Sequence, residues 1–108
     1  MSILSKQEEL ILLAVWRLHD EAYGVKIRKY LIEVTGCDIS IGGIYVPLDR
    51  LVRKEFLQAY QGEPTPERGG MSKRYYKLTS EGVEALQEAR RVHETLWEGL
   101  PQPSFSSG

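Results

Sequence analysis

Cysteine is nearly absent from this chain. Cys37 is the single one among 108 residues, which excludes an internal disulfide and a thiolate metal site. Histidine is almost as scarce: His19 and His93 are the two, and neither has a carboxylate or thiolate at metal-ligand spacing, so no metal site is expected. No apolar run approaches the ~18 residues of a membrane span. The opening MSILSKQEEL lacks the basic stretch and small-residue cleavage site of a secretory leader. A surplus of charge is missing too. The net charge is −1 and the isoelectric point 6.1, whereas nucleic-acid binders are usually basic. There is no Gly-rich phosphate loop between a strand and a helix, and no nucleophile with a base and an orienting partner. Asp38 beside Cys37 works against a reactive thiolate, so Cys37 reads as a small half-buried thiol. The expectation is a cytoplasmic protein that is not an enzyme and uses no cofactor, metal or membrane.

What is present describes an ordinary globular domain, with 42% hydrophobic and 27% charged residues. The length allows one domain, which buries roughly 65% of its unfolded surface and would gain from oligomerisation. Charge is unevenly placed. Residues 22–77 carry ten basic and six acidic side chains, while residues 1–21 sum to −2 and residues 78–108 to −3. A mildly basic body lies between acidic ends.

Ser5 and Glu8 form a capping-box pattern ahead of LILLAVW, residues 10–16. The run is apolar nearly all round, so the first helix needs cover on two sides. The second cover is either another protomer or the monomer's own core. A second helix spans about Tyr23 to Val34 with Ile27, Leu31 and Val34 on one face, and Gly36 suits its left-handed cap. Ser40 caps a third helix that carries Ile41, Ile44, Leu48, Leu51 and Val52 on its buried face. Pro47 lies inside it and removes one backbone donor, so a bend or a loose start is expected. Three helices in under 50 residues form a helix-turn-helix pattern. Residues 56–61 and 73–78 then read as two strands around the flexible GEPTPERGGMS, a hairpin wing. Thr79 caps a last helix to about Gly99, striped with Leu86, Ala89, His93, Leu96, Trp97 and Leu100. That stripe outruns a small core and should pack on a partner. The fold expected is mainly α with a small β-hairpin: a winged helix-turn-helix over residues 1–78, a C-terminal dimerisation helix over 79–100 and a disordered tail over 101–108.

Such a module inserts its third helix into the DNA major groove. Gly42 and Gly43 allow close backbone approach or tight helix packing. Tyr45 is either a phosphate donor or a half-buried aromatic. Arg50 and Arg53 either reach the backbone or pair with Asp49 and Glu55. Arg68, Lys73 and Arg74 on the wing form a basic finger or a solvated loop. A protein-interaction module without DNA binding is the competing function. It gains if Asp38, Asp49 and Glu55 dominate the recognition face.

Three segments together resemble PadR-type transcriptional regulators. SIGGIYVPLDRLVRKEFL is similar to their recognition helix. GGMSKRYYKLTSEG is similar to their wing and following turn, a G-G-x-x-x-[RK]-Y-Y-x-L-T-x-x-G pattern. LILLAVWRLHDEAYGVKIRKYL is similar to their first two helices, with Tyr23-Gly24 opening the second. The resemblance runs from about Leu4 to Leu100. It implies a bacterial homodimeric repressor on a palindromic double-stranded operator, of the subfamily with one short C-terminal helix. Carried over, the DNA-facing candidates are Tyr23, Lys26, Ser40, Gly42, Gly43, Tyr45, Arg50, Arg53, Arg68, Lys73 and Arg74. The dimer candidates are Leu10, Leu13, Leu86, Ala89, His93, Leu96, Trp97 and Leu100. Some members bind a small aromatic effector between subunits, for which Trp16, His93 and Trp97 are the candidates here, with plain interface packing as the alternative. The chain departs from the family at Glu55, where glycine is usual, so the turn into the wing is expected to differ. The wing loop with Pro64-Thr65-Pro66 also looks stretched.

Overall fold

A computed structural model of the chain describes residues 4–63 and 73–102. The elements are α1 (Lys6–Leu18), a 3-10 turn (His19–Glu21), α2 (Gly24–Thr35), α3 (Ile41–Arg53), β1 (Leu57–Gln61), β2 (Arg74–Leu78) and α4 (Ser80–Trp97). The loop between the strands lies outside the described residues, and so does the tail beyond Gln102. None of the described helices is long and apolar enough to cross a membrane.

Local chemistry sets the helix ends. The Ser5 and Glu8 pair closes as a reciprocal box: the Glu8 N–H donates to Ser5 Oγ at 3.1 Å and the Ser5 N–H donates to Glu8 Oε1 at 2.9 Å. The hydroxyls of Ser40 and Thr79 accept from the Gly43 and Gly82 N–H groups and start α3 and α4. Gly36, at φ 72°, ends α2 in the left-handed region where a side chain is disfavoured. The last helix stops at Trp97, two residues short of the expected Gly99.

The core joins all four helices and the hairpin through Ile11, Leu12, Val15, Ile27, Leu31, Ile44, Leu48, Leu51, Leu57, Tyr76 and Leu86. The strands pair antiparallel with Leu57 opposite Leu78 and Gln61 opposite Arg74. The Tyr76 N–H donates to the Ala22 carbonyl at 2.8 Å, and a bridge joins Tyr23 to Tyr75. The wing is thereby tied to the segment that opens α2. Packing also explains the wing signature. A side chain at Gly82 would place its Cβ 2.2 Å from the Phe56 carbonyl oxygen, and Thr79 fastens the same turn by donating to the Glu55 carbonyl at 2.6 Å.

Several expectations need correction. Ile41 and Val34 do not face the core: they are 59% and 61% exposed, because each sits at a helix end beyond the reach of its neighbours. Cys37 is exposed rather than half-buried. Glu55 adopts φ 65°, so this chain holds a glutamate in the left-handed region where the family's glycine is at ease. Glu55→Gly is expected to raise stability by about 1 kcal/mol, read as a higher midpoint in thermal denaturation; an unchanged or lower midpoint would show the glutamate unstrained.

Pro47 leaves α3 unbroken from Ile41 to Arg53. Proline cannot donate to the carbonyl four residues back, which belongs to Gly43. The side chain of Gln7 on α1 supplies that bond instead, with Nε2 donating to the Gly43 carbonyl at 3.2 Å.

Candidate nucleic-acid interface

The start of α2 is where the other elements meet. Tyr23 occupies its N-cap without a side-chain capping bond, which leaves first-turn N–H groups without a side-chain partner there. From the wing, the Lys73 ammonium lies 4.0 Å over the Tyr23 ring. Tyr75 meets Tyr23 edge-on at 5.4 Å and stacks with Tyr60 at 5.6 Å. From α3, the Tyr45 ring lies against Gly24 so closely that a Cβ there would fall 2.3 Å from its hydroxyl. Gly24 is therefore the residue that lets α3 seat its tyrosine beside the open end of α2. Lys26 stands one turn along and pairs with Glu21 at 3.0 Å, which pushes its ammonium pKa up. It stays charged at any working pH.

Along the outer side of α3, Gly42, Val46, Asp49 and Arg53 follow one another at helical spacing, and all are exposed. The helix is held from behind by the start of α1. Glu8 is almost wholly buried and accepts from Lys54 Nζ at 2.7 Å and from Arg50 Nε at 3.3 Å. Burial by itself would raise the Glu8 pKa. The Lys54 ammonium, the Ser5 N–H and the Arg50 guanidinium more than reverse that, and bring it from 4.5 to about 2. The turn between α2 and α3 is fixed by Arg28, whose Nε donates to the Ile39 carbonyl at 2.5 Å and which lies 3.9 Å from Asp38.

The DNA-facing candidates separate accordingly. Tyr23, Lys26, Tyr45 and Lys73 come together around the start of α2. Arg74 reaches α3 and lies 3.9 Å from Asp49. Arg53 is exposed and forms no ion pair among the described residues. Gly42 faces open space, whereas a Cβ on Gly43 would lie 3.0 Å from Ser40 Oγ, so the first glycine permits approach and the second permits the cap. The Ser40 hydroxyl is committed to that cap. Arg50 needs correcting: it is engaged by Glu8, 42 residues away, and not by Asp49 or Glu55. Arg68 lies outside the described residues. Gln7 and the ion pairs of Glu8 were missed, since they arise from contacts between distant residues that spacing does not reveal.

A second feature lies between α1 and α4. Trp16, His93 and Trp97 all border one open groove of about 410 Å³ between α1 and α4, with Leu13, Leu86 and Arg90. His93 Nε2 lies 3.1 Å from Glu9 Oε2, a carboxylate partner that the sequence separation of 84 residues concealed. His19 similarly meets Asp20. No cluster of three metal-capable side chains occurs among the described residues. Of the dimer candidates, Leu96 and Trp97 are 66% and 73% exposed, and Leu13 and Leu100 are also exposed. Leu10 and Ala89 pack partly on the core. Leu86 needs correcting: at 5% exposure it belongs to the core of its own protomer.

Two antiparallel strands following a helix-turn-helix, with the wing laid against the start of its first helix, define a winged-helix protein. The chain belongs to the PadR-like family of transcriptional regulators, whose family model matches residues 12–88. Members of that family are DNA-binding transcriptional regulators, not enzymes. A PadR-like transcription factor from Bacteroides fragilis is 28% identical, with 86% of this chain and 87% of that one covered and a TM-score of 0.68. A PadR family regulator from Clostridium difficile is 23% identical over 87% and 93% of the two chains, with a TM-score of 0.67. H. salinarum RosR is 24% identical over 91% and 81%, with a TM-score of 0.66. This last neighbour is archaeal, so the fold does not confine the chain to bacteria. No curated protein sequence matches the chain.

Proposed function

We propose that the chain acts as a homodimeric repressor that places two recognition helices and two wings on a palindromic operator. The observation that carries the reading is the convergence at the start of α2. Free N–H groups, the Tyr45 hydroxyl, Lys26 and Lys73 together form a phosphate-binding corner, beside the exposed side of α3. Charge supports DNA over a protein partner, because Asp38 and Asp49 each lie 3.9 Å from an arginine, which leaves exposed Glu55, in the turn after α3, as the one of the three acids without an ion pair among the described residues. Dimerisation is supported by the uncovered end of α4. The radius of gyration is 17.0 Å, against about 13 Å for a compact chain of this length. The groove bordered by Trp16, His93 and Trp97 has the size of a small-molecule site, and its two indoles, set among charged side chains such as Glu9 and Arg90, make it the place for a planar aromatic effector.

Half-sites should lie about 34–36 Å apart, one DNA turn. If each protomer neutralises about four phosphates, affinity should fall with a log–log salt slope near −7. Lys73→Ala with Arg74→Ala is expected to weaken binding to all sequences about equally and to bring the slope to about −4. Gel-shift titration over a salt series checks this. A double variant that binds like the parent would remove the wing from the interface.

A further inference from the structure

The outer side of α3 is apolar where a reader of bases is expected to be polar. Val46 is 62% exposed and Ile41 59%, and Gly42 between them faces open space. Over the first two turns this side offers no arginine, lysine, asparagine or glutamine, the side chains that hydrogen-bond purine edges in the major groove. The apolar feature of that groove is the C5-methyl of thymine. Both exposed residues are β-branched and hold nearly one rotamer in a helix, so ordering them against a methyl loses little freedom. Their surroundings suit a polyanion: Asp49, the next residue on this side of α3, lies 3.9 Å from Arg74 of the wing, Arg53 follows one turn further, and Lys73 and Lys26 stand at the adjoining start of α2. A rim in which four cations (Arg53, Arg74, Lys73 and Lys26) outnumber Asp49 and Glu21 around an apolar centre fits a thymine-bearing major groove better than an acidic or neutral partner.

We infer that Val46 and Ile41 are the specificity-determining residues of the recognition helix, and that they select operator half-sites by packing on thymine methyl groups. The inference rests on the DNA-binding reading above. Gly42 lets the helix backbone approach the base edges closely enough for two short side chains to reach them. Specificity then comes from shape and methyl burial, while Tyr45 and the lysines hold the phosphates without regard to sequence.

The test begins with duplexes selected from random DNA by the full-length protein. The best of them is remade with deoxyuridine in place of every half-site thymine, which removes the methyl groups and leaves base pairing unchanged. A control duplex carries deoxyuridine only in the flanks. Each buried methyl should be worth roughly fourfold in affinity, so the half-site replacement should weaken binding at least about tenfold and the flanking replacement not at all. Val46→Ala, at an exposed site, should keep the fold and shrink the difference between thymine and uracil duplexes severalfold. Equal binding of thymine and uracil half-sites would overturn the inference and leave the regulator reading standing. Failure to enrich any duplex would overturn both.

Discussion

Glu8→Ala should lower folding stability by about 3 kcal/mol or more. The carboxylate is buried, and its removal leaves the Lys54 and Arg50 cations facing each other and the Ser5 N–H without its acceptor. Breaking a buried pair from one side costs about 3–5 kcal/mol; the two cations are partly exposed, which places this case at the lower end. The lowered pKa, which arises from the same contacts, is of matching size. A carboxyl held at about 2 against an ordinary 4.5 contributes roughly 3 kcal/mol at neutral pH. The sign follows from the direction. The unfolded chain takes up the proton first, so the contribution is complete above about pH 4.5 and disappears as pH falls through about 2. Glu8→Gln separates charge from shape, since glutamine still completes a capping box. Urea denaturation of the parent and of Glu8→Gln should differ by most of that amount at pH 7 and by about a quarter of it at pH 2.5, converging only below about pH 2. A difference that does not change with pH would show that no ion pair is at work. The same variant should also loosen α3 from behind, because Glu8 and its neighbour Gln7 are its ties to α1.

Turning the far end of α4 acidic should separate the proposed dimer. Leu96→Asp with Trp97→Asp places two charges on side chains that their own protomer leaves mostly exposed, so helix content should hold while sedimentation gives a mass near 12.3 kDa instead of twice that. Operator affinity should then fall by about 10²–10⁴, the advantage of two linked half-site readers over one. A variant that stays dimeric would move the interface elsewhere. One that turns monomeric yet binds the operator undiminished would remove the need for two readers. Leu86 would be the wrong residue for this purpose, since its substitution would open the protomer's own core.

Legibility of the fold followed distance along the chain. Ser5 with Glu8, Ser40 with Gly43, and Thr79 with Gly82 are separated by three residues each, and each was readable because a hydroxyl can reach only the N–H groups of the next turn. The wing was readable from the change of period and from RYYKLT. Ile41 was misplaced because helical spacing assigns a face but not how far the neighbouring elements extend to cover it. Leu86 was misplaced for a related reason: a stripe along α4 looks continuous, but the core covers only its first half.

The amino-acid order alone determined where the capped helices begin, where Gly36 ends α2, which segments form the wing, and that the family's signatures are present, because caps, turns and periodicity act over a few residues. Tertiary structure decided that Arg50 and Lys54 serve Glu8, that Gln7 satisfies the carbonyl freed by Pro47, that His93 meets Glu9, and that Val46 and Ile41 stand outward. Those pairs join residues 36 to 84 positions apart. Their meeting depends on how packed helices are oriented, and a buried charge or an open carbonyl finds its partner only after that packing is complete.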